Sequence, residues 1–123
     1  MTPTPQNFDV VILGGSLAGG ASALLLLRNR PELRVAVVEK SERFGRRVGE
    51  ATVEVSGYFL GRVLGLTQFL NETQLNKQGM RFWFGNAATQ SLADSGEIGG
   101  KYLARMPAWQ IDRSILDLSL IHI

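Results

Sequence analysis

The chain has 123 residues, of which 45% are hydrophobic and 20% charged, the proportions of an ordinary globular domain with one apolar core. Thirteen basic against 11 acidic residues leave a net charge of +2 and no long run of one sign, which gives no argument for nucleic acid or a membrane surface as partner. Cysteine is absent and His122 is the one histidine, so disulfides, thiolate metal sites, His-based triads and His-clustered metal centres have nothing to build on.

Residues 1–7, with two prolines, read as a frayed lead-in. Residues 8–13 are an apolar, β-branched run expected to form a strand buried on both faces. Residues 14–20 are a glycine-rich turn, and residues 17–30, rich in Ala and Leu, read as a helix that Pro31 ends. The apolar stretch 9–27 resembles a membrane anchor only superficially: residues 1–9 carry no positive charge, and Gly14, Gly15, Gly19 and Gly20 interrupt it. A strand–turn–helix and a cytoplasmic chain are expected instead. Residues 34–39 form a second buried strand. Strand, turn, helix and strand within about thirty residues make a βαβ unit, with a right-handed crossover and parallel strands.

Beyond it, residues 41–50 are a basic, glycine-punctuated loop. Residues 55–64 read as a helix in which Gly57 and Gly61, one turn apart, admit a close neighbour. Residues 67–74 suggest a further short helix, 80–84 a strand, and 85–107 a loop or hairpin. Residues 110–117 lead into a helix capped by Asp112 or Ser114. Residues 118–123 read Leu-Ser-Leu-Ile-His-Ile, which is also the in-frame translation of a common sequencing-library adapter. They are expected to be a non-native tail outside the fold, a natural apolar strand being the alternative.

The segment Gly14-Gly15-Ser16-Leu17-Ala18-Gly19 fits G-x-G-x-x-G with serine at the middle glycine. It leaves a strand and opens a helix, the context that makes the motif informative. Gly14 permits the sharp turn, the middle position lets a diphosphate approach the backbone, and Gly19 lets helix and strand pack closely. The helix then offers unpaired N–H groups and the positive end of its dipole. Ser16 is small, and its hydroxyl can itself donate to a phosphate oxygen. Glu39 ends the second strand, where a carboxylate accepts hydrogen bonds from the adenosine ribose and repels a 2′-phosphate, arguing against NADP. FAD and NAD share this half of a site, and the motif does not choose between them. A bare turn with a solvated strand-end glutamate is the bland alternative.

Three stretches make the choice. Across residues 8–117 the sequence resembles the flavin-dependent oxidoreductases that include the tryptophan halogenases and their monooxygenase and geranylgeranyl-reductase relatives. The likeness rests on DVVILGGSLAGGASALLL with the later VVEK, on RVGEATVEVSGYFLGRVLGL, and on WQIDRSILD. The resemblance implies an α/β fold, a Rossmann-like βαβ FAD-binding unit with an incomplete parallel sheet, truncated before the substrate domain. It implies FAD held by Gly14, Gly15, Ser16, Ala18, Gly19, Glu39 and Lys40, with Gly49, Glu50 and Ala51 near the isoalloxazine end. Gln110 and Arg113 fall on the diphosphate side. By residue type alone Glu50 is a loop carboxylate and Arg113 a helix-surface cation. Arg46 and Arg47 meet the cofactor's charge or belong to a solvated loop. Lys77-Gln78-Gly79-Met80-Arg81-Phe82 is similar to a halogenase stretch whose lysine handles hypohalous acid, which makes Lys77 the catalytic candidate; a surface lysine opening a strand is the alternative.

The function so implied is that of the N-terminal part of a halogenase-like enzyme, in which reduced FAD, dioxygen and halide act on an electron-rich small-molecule substrate. A separate flavin reductase supplies the reducing equivalents, and the piece alone is expected to be inactive. A flavin monooxygenase or reductase without halide chemistry, and a non-catalytic nucleotide-binding fragment, are the other readings.

Overall fold

A computed structural model describes residues 7–100 and 105–122. Residues 1–6 of the lead-in, residues 101–104 of the 85–107 loop, and Ile123 lie outside the described residues. The chain forms two compact units, Met1–Glu50 with Ile111–Ile123, and Ala51–Gln110. Sequence alone suggested one domain.

In the first unit β1 (Val10–Leu13) and β2 (Val35–Val38) pair in parallel, Val10 opposite Val35 and Leu13 opposite Val38. Both are β-branched runs, which a pleated surface accommodates well. α1 (Leu17–Asn29) links them and stops at Arg30, before Pro31, whose ring disfavours a helical predecessor. The βαβ unit is therefore formed as expected. The strands are not buried on both faces, however. Ile12 lies under α1, whereas Val11 is 53% and Leu13 83% exposed. Among the described residues one face of this pair has a covering layer, and the alternation of half-buried and exposed positions in β1 follows from that.

The last element of this unit is α4 (Arg113–His122). Of the two expected caps, Asp112 is the one used: its carboxylate accepts the Ser114 N–H at 2.9 Å and the Ser114 hydroxyl. Leu116, Asp117 and Leu120 form its buried face. Residues 118–122, expected to stand outside the fold or to form a strand, instead continue this helix. Leu120 is 4% exposed because it falls one turn after Leu116 and packs over Gly20 of α1.

In the second unit α2 (Glu54–Tyr58) runs on through a π-helical turn, Phe59–Val63, where the Leu64 N–H reaches back to the Phe59 carbonyl at 2.9 Å. α3 (Thr67–Thr73) follows. β3 (Leu75–Lys77) pairs antiparallel with β6 (Ala108–Gln110), and β4 (Arg81–Phe84) with β5 (Gly96–Gly99), so the strand expected at 80–84 forms a hairpin with part of the stretch expected as a loop or hairpin. Pairing of β3 with β6 was not anticipated, since neither three-residue strand has a period to read. Its anchor is Trp109, 1% exposed among Leu60, Leu64, Leu66 and Leu70, the core of this unit. Thr52 clasps Trp109 twice: its hydroxyl accepts the Trp109 N–H at 2.8 Å and donates to the Trp109 carbonyl at 2.6 Å.

Gly57 and Gly61 do admit a close neighbour. A methyl at Gly57 would sit 2.0 Å from the Pro107 carbonyl oxygen and 3.2 Å from the Trp109 ring. Gly57→Ala is therefore expected to destabilise the protein by about 1–3 kcal/mol, the cost of overpacking a rigid site. An unchanged denaturation midpoint would show that this backbone approach is not tight.

Candidate functional site

The site is the tip of the βαβ unit. β1 delivers Gly14 with φ +100°, a conformation that an L side chain rarely adopts, and the Gly14 N–H donates to the Val38 carbonyl at 2.7 Å. The chain then turns directly into α1. A Cβ on Gly19 would lie 1.8 Å from the Gly14 carbonyl oxygen, so only glycine lets the helix start this close to the strand. Both glycine roles expected from the motif are met in the backbone.

Because β1 and β2 are parallel, Glu39 at the end of β2 arrives beside that turn. Its Oε2 accepts the Gly15 N–H at 2.8 Å and its Oε1 accepts the Ser41 N–H at 2.9 Å. These bonds, Gly15 first and Ser41 second, hold the carboxyl well below its ordinary value, at about 2. An ionised carboxylate has about four acceptor positions, and with the Ser41 hydroxyl as a further partner beside the two N–H groups, acceptor capacity is still left for a ligand. Glu39 is half-buried and lines a groove of ≈ 480 Å³ with Leu13, Gly14, Ser16, Val38, Lys40 and Arg47.

The amino end of α1 opens beside this groove. The N–H groups of Leu17, Ala18 and Gly19 lie in the first turn and have no intrahelical carbonyl to bond, whereas the Gly20 N–H already bonds the Ser16 carbonyl at 2.8 Å. A left-handed glycine, a helix start with no room for a Cβ, first-turn amides and a carboxylate at the neighbouring strand tip fit the adenosine diphosphate half of a dinucleotide. The positive side chains on the groove, Lys40 and Arg47, complement its charge.

Ser16 departs from expectation. Its backbone stands at the N-cap of α1, yet its side chain makes no cap bond. The hydroxyl donates instead to Asp117 Oδ2 at 2.7 Å and accepts from Arg113 Nη2 at 2.7 Å. A hydroxyl has one proton, and in this structure it goes to Asp117. Arg113 is not a helix-surface cation either. Its side chain is 14% exposed and pairs with Asp117 through Nε–Oδ1 at 2.9 Å and Nη2–Oδ2 at 3.1 Å. Asp117 itself is fully buried. Sequence reading gave it no role, although its place one turn after Arg113 on a helix is a pairing signal.

Glu50 is more than a loop carboxylate. Its Oε1 accepts the Arg113 N–H at 3.0 Å, which puts a negative charge at the start of α4, and its carbonyl accepts the Ile111 N–H at 2.8 Å. Arg46 is shared between Glu50 at 3.8 Å and Asp112 at 3.2 Å. Gly49 precedes Glu50 with φ +90°. The structure thus gathers Gly14, Gly15, Ser16, Ala18, Gly19, Glu39 and Lys40 around the turn, with Arg113 behind Ser16.

The remaining candidates belong to the second unit. Ala51 and Gln110 face each other in an antiparallel bridge. Lys77 closes β3 instead of opening a strand; it is half-buried, and its Nζ donates to the Thr52 carbonyl at 2.8 Å. Thr52 received no role from sequence, yet it supports both Lys77 and Trp109.

Known proteins resemble this chain in sequence and fold. The tryptophan halogenase family model matches residues 9–108. The flavin-dependent halogenase chlA of Dictyostelium discoideum is 31% identical over 126 residues, covering 94% of this chain and 21% of the relative. The flavin-dependent brominase Bmp2 superposes with a TM-score of 0.72 at 24% identity, over 95% of this chain and 27% of that one. The myxobacterial chondrochloren halogenase CndH, an FAD-dependent halogenase, superposes at 0.74 and 21% identity, over 96% and 26%. At such identities the two structures show the fold. The chain spans about a fifth of the length of the curated relative.

Depression of the Glu39 pKa has a measurable consequence. The folded state keeps this carboxyl ionised down to about 2, against 4.5 when unperturbed, so the stability it contributes is complete above the higher value and is lost as pH falls through the lower. Glu39→Gln is expected to lower the thermal midpoint at neutral pH, and the gap from the wild type should close as the medium is acidified through that window. A gap independent of pH would remove the Gly15–Glu39 bond from the stability of the turn.

Proposed function

The chain belongs to the tryptophan halogenase family, and from that premise we propose that it is the FAD-binding N-terminal part of a flavin-dependent halogenase. The observation that carries the reading is the Glu39 carboxylate beside Gly15, at the open end of a helix that begins on a left-handed glycine. FAD, when bound, supplies the redox chemistry that uses dioxygen and a halide to make an oxidised halogen. The residues of this chain bind, orient and position.

The first-turn N–H groups of α1 take the diphosphate, whose charge also meets the positive end of the helix dipole. Glu39 uses its remaining acceptor capacity for the ribose hydroxyls, as an ionised group at every working pH. Lys40 and Arg47 balance the phosphates along the groove. Gly49 and Glu50 shape the loop on the isoalloxazine side.

Lys77 is the catalytic residue in this reading. Its ammonium has three N–H donors, and the Thr52 carbonyl takes one of them. That bond fixes the end of a flexible side chain, and the other donors orient hypohalous acid toward an electron-rich substrate. The substrate is a small molecule, and a separate flavin reductase provides the reduced cofactor. Among the described residues no helix is long and apolar enough to cross a membrane.

Two measurements on the whole protein test the reading. Glu39→Arg is expected to weaken FAD binding by about tenfold or more, because it removes the charged acceptor of the ribose hydroxyls and puts a bulky donor in its place; an unchanged dissociation constant would contradict the ribose role. Lys77→Ala is expected to keep FAD and to lose about a hundredfold or more of halogenation. Full halogenation by that variant would remove Lys77 from the chemistry, and a hydroxylated product formed by the wild type regardless of chloride or bromide would replace the halogenase reading with a monooxygenase.

A further inference from the structure

A serine at the N-cap ordinarily stabilises its helix by accepting the N–H of the second or third helical residue. Ser16 has the extended N-cap backbone, φ −74° and ψ −170°, and yet makes no such bond. Asp117 is fully buried, and its Oδ2 takes the only proton of the Ser16 hydroxyl, while Arg113 Nη2 donates to the same oxygen. Arg113 and Asp117 are themselves locked through two hydrogen bonds, Nε–Oδ1 and Nη2–Oδ2. Ser16, Arg113 and Asp117 therefore close a ring in which the serine oxygen bonds this pair and not the helix amides.

We propose that the Arg113–Asp117 pair is a positioning device for the cofactor turn. It draws the Ser16 hydroxyl out of the capping position and so keeps the Ala18 and Gly19 N–H groups available to an incoming diphosphate. The proposal rests on the FAD reading of the turn. Released from the pair, the hydroxyl would rotate onto those amides and compete with the phosphate oxygens for the same donors. The guanidinium is neutralised by Asp117, so its part is to hold Ser16, not to supply charge to the ligand. A buried ion pair adds little net stability compared with apolar residues of the same volume, which leaves orientation of a partner as its use here.

The same physics provides the test. Replacing both partners together, Arg113→Met with Asp117→Leu, leaves no unpaired buried charge and is often near neutral for folding. FAD affinity is measured on the whole protein by fluorescence titration, with this pair of substitutions made in the wild-type background and again in the Ser16→Ala background. With Ser16 present the pair of substitutions should weaken FAD by about fivefold, the strength of a typical cap bond set against the ligand. In the Ser16→Ala background the same substitutions should change affinity little, because no hydroxyl remains to compete. That coupling is a readout that general damage to the fold would not produce. Equal losses in both backgrounds would overturn the proposal, pointing to a direct Arg113 contact or to structural disruption. No loss in either would overturn it as well. A wild-type protein that fails to bind FAD would sink the reading of the turn and this proposal together, whereas wild-type binding with the wrong coupling sinks the proposal alone.

Discussion

A single charge-assisted hydrogen bond organises the first unit: the Gly15 N–H donating to the Glu39 carboxylate at 2.8 Å. It ties the end of β2 to the turn that leaves β1, so two strand tips and one helix start share a small volume. The bond exists because the parallel register sets Leu13 against Val38 and carries the two following segments out on the same edge. It also decides the chemistry. A carboxylate held by backbone N–H groups stays charged, and Glu39 lines a groove beside the first turn of α1. Position, charge and open acceptors are consequences of one contact.

The far end of the chain completes this corner. α4 brings Arg113 and Asp117 to Ser16, and Glu50 answers with a carboxylate on the Arg113 N–H. Leu116 and Leu120, both buried, seat α4 within the first unit, so the polar ring around Ser16 rests on an apolar base. Low exposure makes the polar contacts consequential: within a poorly hydrated corner each donor must be matched, and every side chain there has a partner. The second unit follows a different logic. There Trp109 is the fixed point, clasped by Thr52 on its backbone and bonded through its indole N–H to Asn71 at 3.2 Å. Lys77 takes its place through the Thr52 carbonyl, one bond from that same clasp.

Local signals made the βαβ unit readable. Val10–Leu13 and Val35–Val38 are β-branched runs, α1 is an alanine- and leucine-rich stretch stopped by Pro31, and Gly14 and Gly19 sit where steric limits allow nothing else. Glu39 was readable because strand length and chirality fix where a strand ends. The rest depended on contacts that no window of sequence contains. Ser16 and Asp117 are separated by 101 positions, and the bond of the serine hydroxyl to a buried carboxylate follows from that meeting. β3 and β6 are too short to show alternation and are defined by each other. The helical course of residues 118–122 was hidden by a composition that suits a strand equally well; its spacing from Leu116 decided the matter.

The most direct test of this geometry is a crystal structure of the whole protein with FAD. The diphosphate oxygens are expected within hydrogen-bond reach of the Ala18 and Gly19 N–H groups, about 2.7–3.2 Å, with the adenosine ribose hydroxyls on the Glu39 carboxylate. Density that places the adenosine half elsewhere, or a ribose with no contact to Glu39, would contradict it.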